Sequence, residues 1–165
     1  MNRAIGRRKC ALALAVLCLI LSPFAAWAGS QVPFKANLSL QGTLGNPNTC
    51  TNGTLLIVIS GGGYATHLGA TTDQQSHCLN VVNGQVTDGQ YTFTAANGDT
   101  ISGTYSAQMI PSGANSIIQG QFTITGGTGR FSGASGGGAA SGILHADGSA
   151  SLTLTGTISS VGSTQ

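Results

Sequence analysis

An alternation of residue types constrains this chain more than any other feature. Phe34, Ala36, Leu38 and Leu40 are spaced by Lys35, Asn37 and Ser39. Tyr91 and Phe93 alternate with Thr92 and Thr94, Phe122 and Ile124 with Thr123 and Thr125, and Leu152 and Leu154 with Thr153 and Thr155. Side chains of a strand point to opposite faces in turn, so period two with Thr on the second face marks half-buried antiparallel strands. Between the runs stand Asn83-Gly84, Asp88-Gly89, Asn97-Gly98 and Asp147-Gly148. These dipeptides tolerate the positive φ of tight hairpin turns. The pattern predicts strands near 34–43, 54–60, 64–71, 76–82, 90–96, 100–109, 117–125, 139–146 and 150–159. Eight or nine strands joined by hairpins imply an all-β barrel or sandwich. Gly103, Gly120 and Gly156 fall in phase with the large inward residues, where glycine lets a strand bend around a tapering interior, and this favours a small closed antiparallel barrel of about eight strands.

Residues 1–28 read as a secretory leader, leaving 29–165 as a single domain. Arg3, Arg7, Arg8 and Lys9 precede an apolar stretch from Cys10 to Leu21. That stretch is short for a bilayer span of about 20 residues. Pro23 follows it, and Ala26-Trp27-Ala28 supplies the small residues of a cleavage site. The expected destination is therefore outside the cytoplasm, periplasmic or extracellular, with no transmembrane segment in the mature chain. The whole chain carries a formal charge of +2. Without the leader, two basic residues (Lys35 and Arg130) face four Asp, and the charge becomes −2. The positive balance belongs to the leader, and phosphate-directed nucleic-acid binding is not expected.

Cys50 and Cys78 remain after the leader. In an oxidising compartment a single disulfide is the natural reading, with two free or metal-bound thiols as the rival. Closing a loop of this length would contribute roughly 3–4 kcal/mol in the chain-entropy picture.

Chemistry-bearing residues are few. Charged residues make up 6% of the chain and Glu is absent. Gly126-Gly127-Thr128-Gly129-Arg130-Phe131 has neither dinucleotide nor phosphate-loop spacing and precedes no helix. It reads as a tight corner in which Phe131 packs inward and Arg130 caps carbonyls or pairs with an Asp; contact of Arg130 with a ligand is the alternative. Asp73, Asp88, Asp99 and Asp147 read as turn residues, which leaves no carboxylate pair for glycoside hydrolysis. His67, His77 and His145 lack compact ligand spacing, so no metal or other cofactor is expected.

The stretch from Thr123 to Gly136, with Gly126-Gly127-Thr128-Gly129-Arg130-Phe131 at its centre, resembles the corresponding hairpin of dirigent and allene oxide cyclase-like barrels. Ala65-Thr66-His67-Leu68-Gly69 and the run Tyr91 to Asp99 resemble segments of uncharacterised exported bacterial proteins that share this hairpin. The resemblance spans residues 60–136 and implies a calycin-like, allene oxide cyclase-type barrel of eight antiparallel strands, trimeric in the plant families. It carries neither family's activity. Ser135 stands where dirigent proteins have an arginine, and the glutamate of allene oxide cyclases has no counterpart.

The leading expectation is a non-catalytic exported barrel that binds a small apolar ligand or serves as an interaction module, with Tyr64, Tyr91, Phe93 or Tyr105 at its mouth. The alternatives are a cyclase- or dirigent-like protein acting on a reactive apolar intermediate through Arg130 and a histidine, and a purely structural surface protein. A filled lumen would remove the first two. An inward His or Asp in an open lumen would favour chemistry, and a wholly apolar lumen would favour binding alone.

Overall fold

The computed structural model describes residues 30–46, 49–50 and 55–159. The leader expected at 1–28 lies outside them. Eight strands run in sequence: β1 (Gln31–Leu44), β2 (Leu55–Ala65), β3 (Gly69–Asn80), β4 (Gln85–Ala95), β5 (Thr100–Ser112), β6 (Asn115–Gly127), β7 (Gly136–Leu144) and β8 (Ser149–Ser159). Each pairs antiparallel with its neighbours, and β8 returns to β1 to close the barrel. One 3₁₀ turn, Gly129–Phe131, lies between β6 and β7. No α-helix occurs among the described residues, and none is long and apolar enough to cross a membrane.

Closure follows from the alternation. On β1 the residues Phe34, Ala36, Leu38 and Leu40 are buried while their neighbours are exposed. Tyr91, Phe93, Phe122, Ile124, Leu154 and Ile158 complete the same interior. With the apolar faces of most strands turned inward and every strand paired on both sides, Ser and Thr meet solvent and none of the eight described strands has an open edge.

The structure corrects sequence expectations in β2, β3 and β4. The Gly61-Gly62-Gly63 triplet, read as a break, lies inside β2; the hairpin comes later, at Thr66–Leu68, with His67 at a φ of 69°. The nine predicted segments therefore become eight strands. Asp88-Gly89, read as a hairpin turn, lies inside β4. Ser76 pairs with Gln90 and Cys78 with Thr87, so Asp88 and Gly89 together stand opposite the single residue His77. Two residues against one is a β-bulge, a device that re-aims side chains.

The two ends of the barrel differ. At the end holding the β2–β3 and β4–β5 hairpins, Phe131 plugs the lumen at 0% exposure, beside Leu68, Ala134, Ile101 and Ile158. Gly129 starts this plug at a φ of 57°, and a Cβ there would lie 1.8 Å from Asp99 Oδ1. Only glycine meets both conditions. Arg130 donates from Nη2 to the His67 carbonyl at 2.8 Å, lies 3.6 Å from Asp99 Oδ2 and packs over the Phe131 ring. Both expected roles of Arg130, capping and pairing, are filled together.

Candidate functional site

At the opposite end the described residues leave the lumen unfilled. A cavity of about 260 Å³ runs from the barrel's middle to the strand ends at Leu44, Leu144 and Gly148. Its wall is almost wholly apolar, with Ile57 and Ile59 from β2, Val86 and Phe93 from β4, Met109 from β5 and Leu152 from β8 among its members. The space equals roughly nine liquid-water volumes, enough for about ten non-hydrogen atoms. Cys50 and Cys78 lie at disulfide distance, with Cα atoms 5.8 Å apart, on the outer side of β3 near this mouth.

One strand breaks the apolar rule. Thr71, Asp73, Gln75 and His77 of β3 all point inward and are buried. Asp73 was expected in a turn; instead it is 0% exposed in mid-strand. Its neighbours Thr72, Gln74 and Ser76 are also polar, so the strand has no apolar stripe to reveal which face is inside. Gln75 Nε2 donates to Asp73 Oδ2, while Asp73 Oδ1 has no hydrogen-bond partner among the described residues. Burial raises the Asp73 carboxyl to about 7 despite the Gln75 hydrogen bond. Asp73 lies one inward step below Gln75, which lines the cavity floor.

His77 lines the cavity itself at 3% exposure. Its Nδ1 is 2.7 Å from the Tyr105 hydroxyl, and its Nε2 is buried without a partner among the described residues. Burial lowers its pKa to about 4, so the ring is neutral at neutral pH. The bulge explains how Tyr105 gets there. A Cβ on Gly89 would lie 2.7 Å from the Tyr105 ring and 2.4 Å from its carbonyl oxygen. The missing side chain lets the ring cross β4 and meet His77 edge-on, with centroids 5.8 Å apart. Burial, and then the proximity of Asp73, push the Tyr91 and Tyr105 phenols above their usual range.

Of the residues singled out from the sequence, Tyr91, Phe93 and Tyr105 come together on the cavity wall. Tyr91 stacks on Phe93 at 4.8 Å and donates its hydroxyl proton to the Thr123 carbonyl at 3.2 Å. Tyr64 and Arg130 do not join them. Tyr64 faces outward on β2, 64% exposed, because Gly61, Gly63 and Ala65 take the inward positions. Arg130 belongs to the plugged end and is not among the residues that line the cavity. The three histidines are also apart: His67 makes a 3.0 Å hydrogen bond from Nε2 to the Pro33 carbonyl at the plugged end, and His145 lies in the β7–β8 turn. No group of three or more metal-ligating side chains occurs among the described residues.

Comparison with protein-family models, curated proteins and solved structures finds no match to this chain.

Proposed function

We propose that this barrel is an exported binding protein for a small, largely apolar molecule held in the open half of its lumen. The apolar cavity between Tyr91, Phe93 and Tyr105 carries this reading. An enclosed apolar wall with a few polar groups is the usual make-up of a small-molecule site. The cysteine pair is compatible with an oxidising compartment and so with export through the leader at 1–28. A purely structural role gives no use for an unfilled lumen, since close packing is the rule in protein interiors.

Calorimetric titration of the mature chain with n-butylbenzene tests the reading, alongside mass spectrometry of small molecules that co-purify. Saturable one-site binding is expected, and its loss on filling the cavity by Ala140→Leu. Absence of both binding and co-purifying molecules would remove the proposal.

One observation favours a second reading, action on a reactive apolar intermediate in the manner of the cyclase-like and dirigent families: the inward His77 and Asp73. Recovery of bound molecules chemically unchanged would leave binding alone. Conversion abolished by His77→Leu or Asp73→Asn would support the second. The trimer that the resemblance implies would bury Ile110, Ile117 and Ile143, which are exposed cross-strand neighbours on the outer wall. Sedimentation equilibrium decides between one chain and three.

A further inference from the structure

The unpartnered Nε2 of His77 calls for an explanation. A buried polar group without a hydrogen bond destabilises a fold, and native proteins keep few of them. The tautomer follows from counting partners. If His77 Nδ1 donated to Tyr105, the phenol proton and Nε2 would both lack partners. If the Tyr105 hydroxyl donates to Nδ1, one unmet group remains: an N–H on Nε2. Fewer unmet groups favour the second arrangement. Tyr105, seated on Gly89 at the bulge, is thus a positioning residue that fixes the imidazole with its unmet donor on a residue of the cavity wall.

The surroundings select the acceptor. Among the described residues, no Lys or Arg lines the cavity. Arg130 is at the plugged end, and Lys35 lies exposed on the outer face of β1. Asp73 sits one step beneath the floor, held as the neutral acid below pH 7 by its burial, and offers no positive charge to an anion. An ionised carboxylate would lose its water with no cation in exchange, a cost one neutral hydrogen bond does not offset. An uncharged oxygen gives up far less.

We infer that His77 is the recognition residue of this cavity and donates a hydrogen bond from Nε2 to an uncharged carbonyl oxygen of an otherwise apolar ligand of about ten non-hydrogen atoms. This rests on the cavity being a binding site and adds the ligand's chemical class. Gln75, beside His77 on the same inward row, keeps its amide hydrogen bond to Asp73 and is not needed as the donor.

Three ligands of similar size test the inference: n-butylbenzene, the ketone butyrophenone and the carboxylate 4-phenylbutyrate. In the intact protein the ketone binds, the carboxylate binds at least about tenfold more weakly, and the ketone carbonyl stretch moves to lower wavenumber than in an alkane solvent. In His77→Leu the affinity of ketone relative to hydrocarbon falls about three- to tenfold, the worth of one net hydrogen bond, and the carbonyl shift disappears. A readout on the unsubstituted protein guards against a variant that does not fold. The His77 Nε2–H proton resonance, assigned by nitrogen-15 NMR, moves downfield with butyrophenone and stays in place with butylbenzene. Butylbenzene binding combined with an unshifted ketone carbonyl, a carbonyl shift that survives His77→Leu, or preferred binding of the carboxylate would each overturn the inference while leaving the binding reading intact. If none of the three ligands binds, the binding reading itself fails.

Discussion

The two ends of the barrel handle polar groups in opposite ways. At the plugged end, Arg130, Asp99, Asn97 and His67 lie at the surface, and each has a protein partner. Phe131 fills the space beneath them. In the open half, Asp73 and His77 are buried, and each keeps one atom unpartnered. Polarity at the first end closes a corner and leaves the interior dry. In the second it faces an interior that is left unfilled. Unsatisfied buried groups together with unused volume weaken a fold, and their coincidence around one cavity is what a site built for an outside molecule requires.

The sharpest way to break this comparison is to remove the plug. Phe131→Ala should cost about 3–5 kcal/mol, read by urea denaturation, with ligand affinity at the far end unchanged if the variant is measured below its transition. A comparable loss of affinity would show that the two ends act as one unit.

Acid–base titration comes next. Asp73 is raised from 3.8 to about 7, so the folded state holds a proton that the unfolded chain gives up, and this contribution to stability is lost as pH climbs from 4 to 7. His77 is lowered from 6.5 to about 4, so the unfolded chain takes up a proton that the folded state refuses, and stability is lost as pH falls from 6.5 to 4. Each slope is about 1.4 kcal/mol per pH unit, and the two oppose each other over most of the window. The intact protein should show little contribution from this pair between pH 4 and 6.5. Asp73→Asn should unmask a rise in stability of about 3 kcal/mol across that range, and His77→Leu a fall of about the same size. Chemical denaturation at several pH values checks both, and parallel profiles for all three proteins would contradict the buried assignments.

Packing gives a smaller contrast. Ala36 is fully buried beside Phe34, whereas Ala140 lines the cavity. Ala36→Leu should destabilise by about 1–3 kcal/mol through overpacking, while Ala140→Leu should be neutral or stabilising. Equal losses in thermal melting would mean that the cavity wall cannot take a larger side chain. The smallest effect is expected at Arg130, whose side chain is 42% exposed. Arg130→Ala should cost under about 1 kcal/mol and leave ligand affinity unchanged.

The legible and illegible parts of this chain divide along the same line. Asn83-Gly84, Asn97-Gly98 and Asp147-Gly148 do mark hairpins, and the alternation of Tyr91 with Phe93 does place both rings inside. Local backbone chemistry decides such features. β3 was opaque because its residues are polar on both faces, so its phase depends on the register with β2 and β4. One signal was present. Asp88-Gly89 follows Asn83-Gly84 too closely for both to turn the chain, which left a bulge as the remaining reading and pointed to the residue opposite it. Tyr64 misled because the glycines before it carry no phase information.

The pairing of Gln31 with Ser159 across the β1–β8 seam has a kinetic side. Seven of the eight ladders join strands adjacent in sequence, so hairpins can form quickly and locally. The eighth must close almost the whole length of the barrel in a single loop, the costliest contact in chain entropy and the one that slows folding. Until β8 arrives, β1 has an open edge and Phe34 has no cover from that side. The lumen therefore cannot be sealed before the last strand arrives.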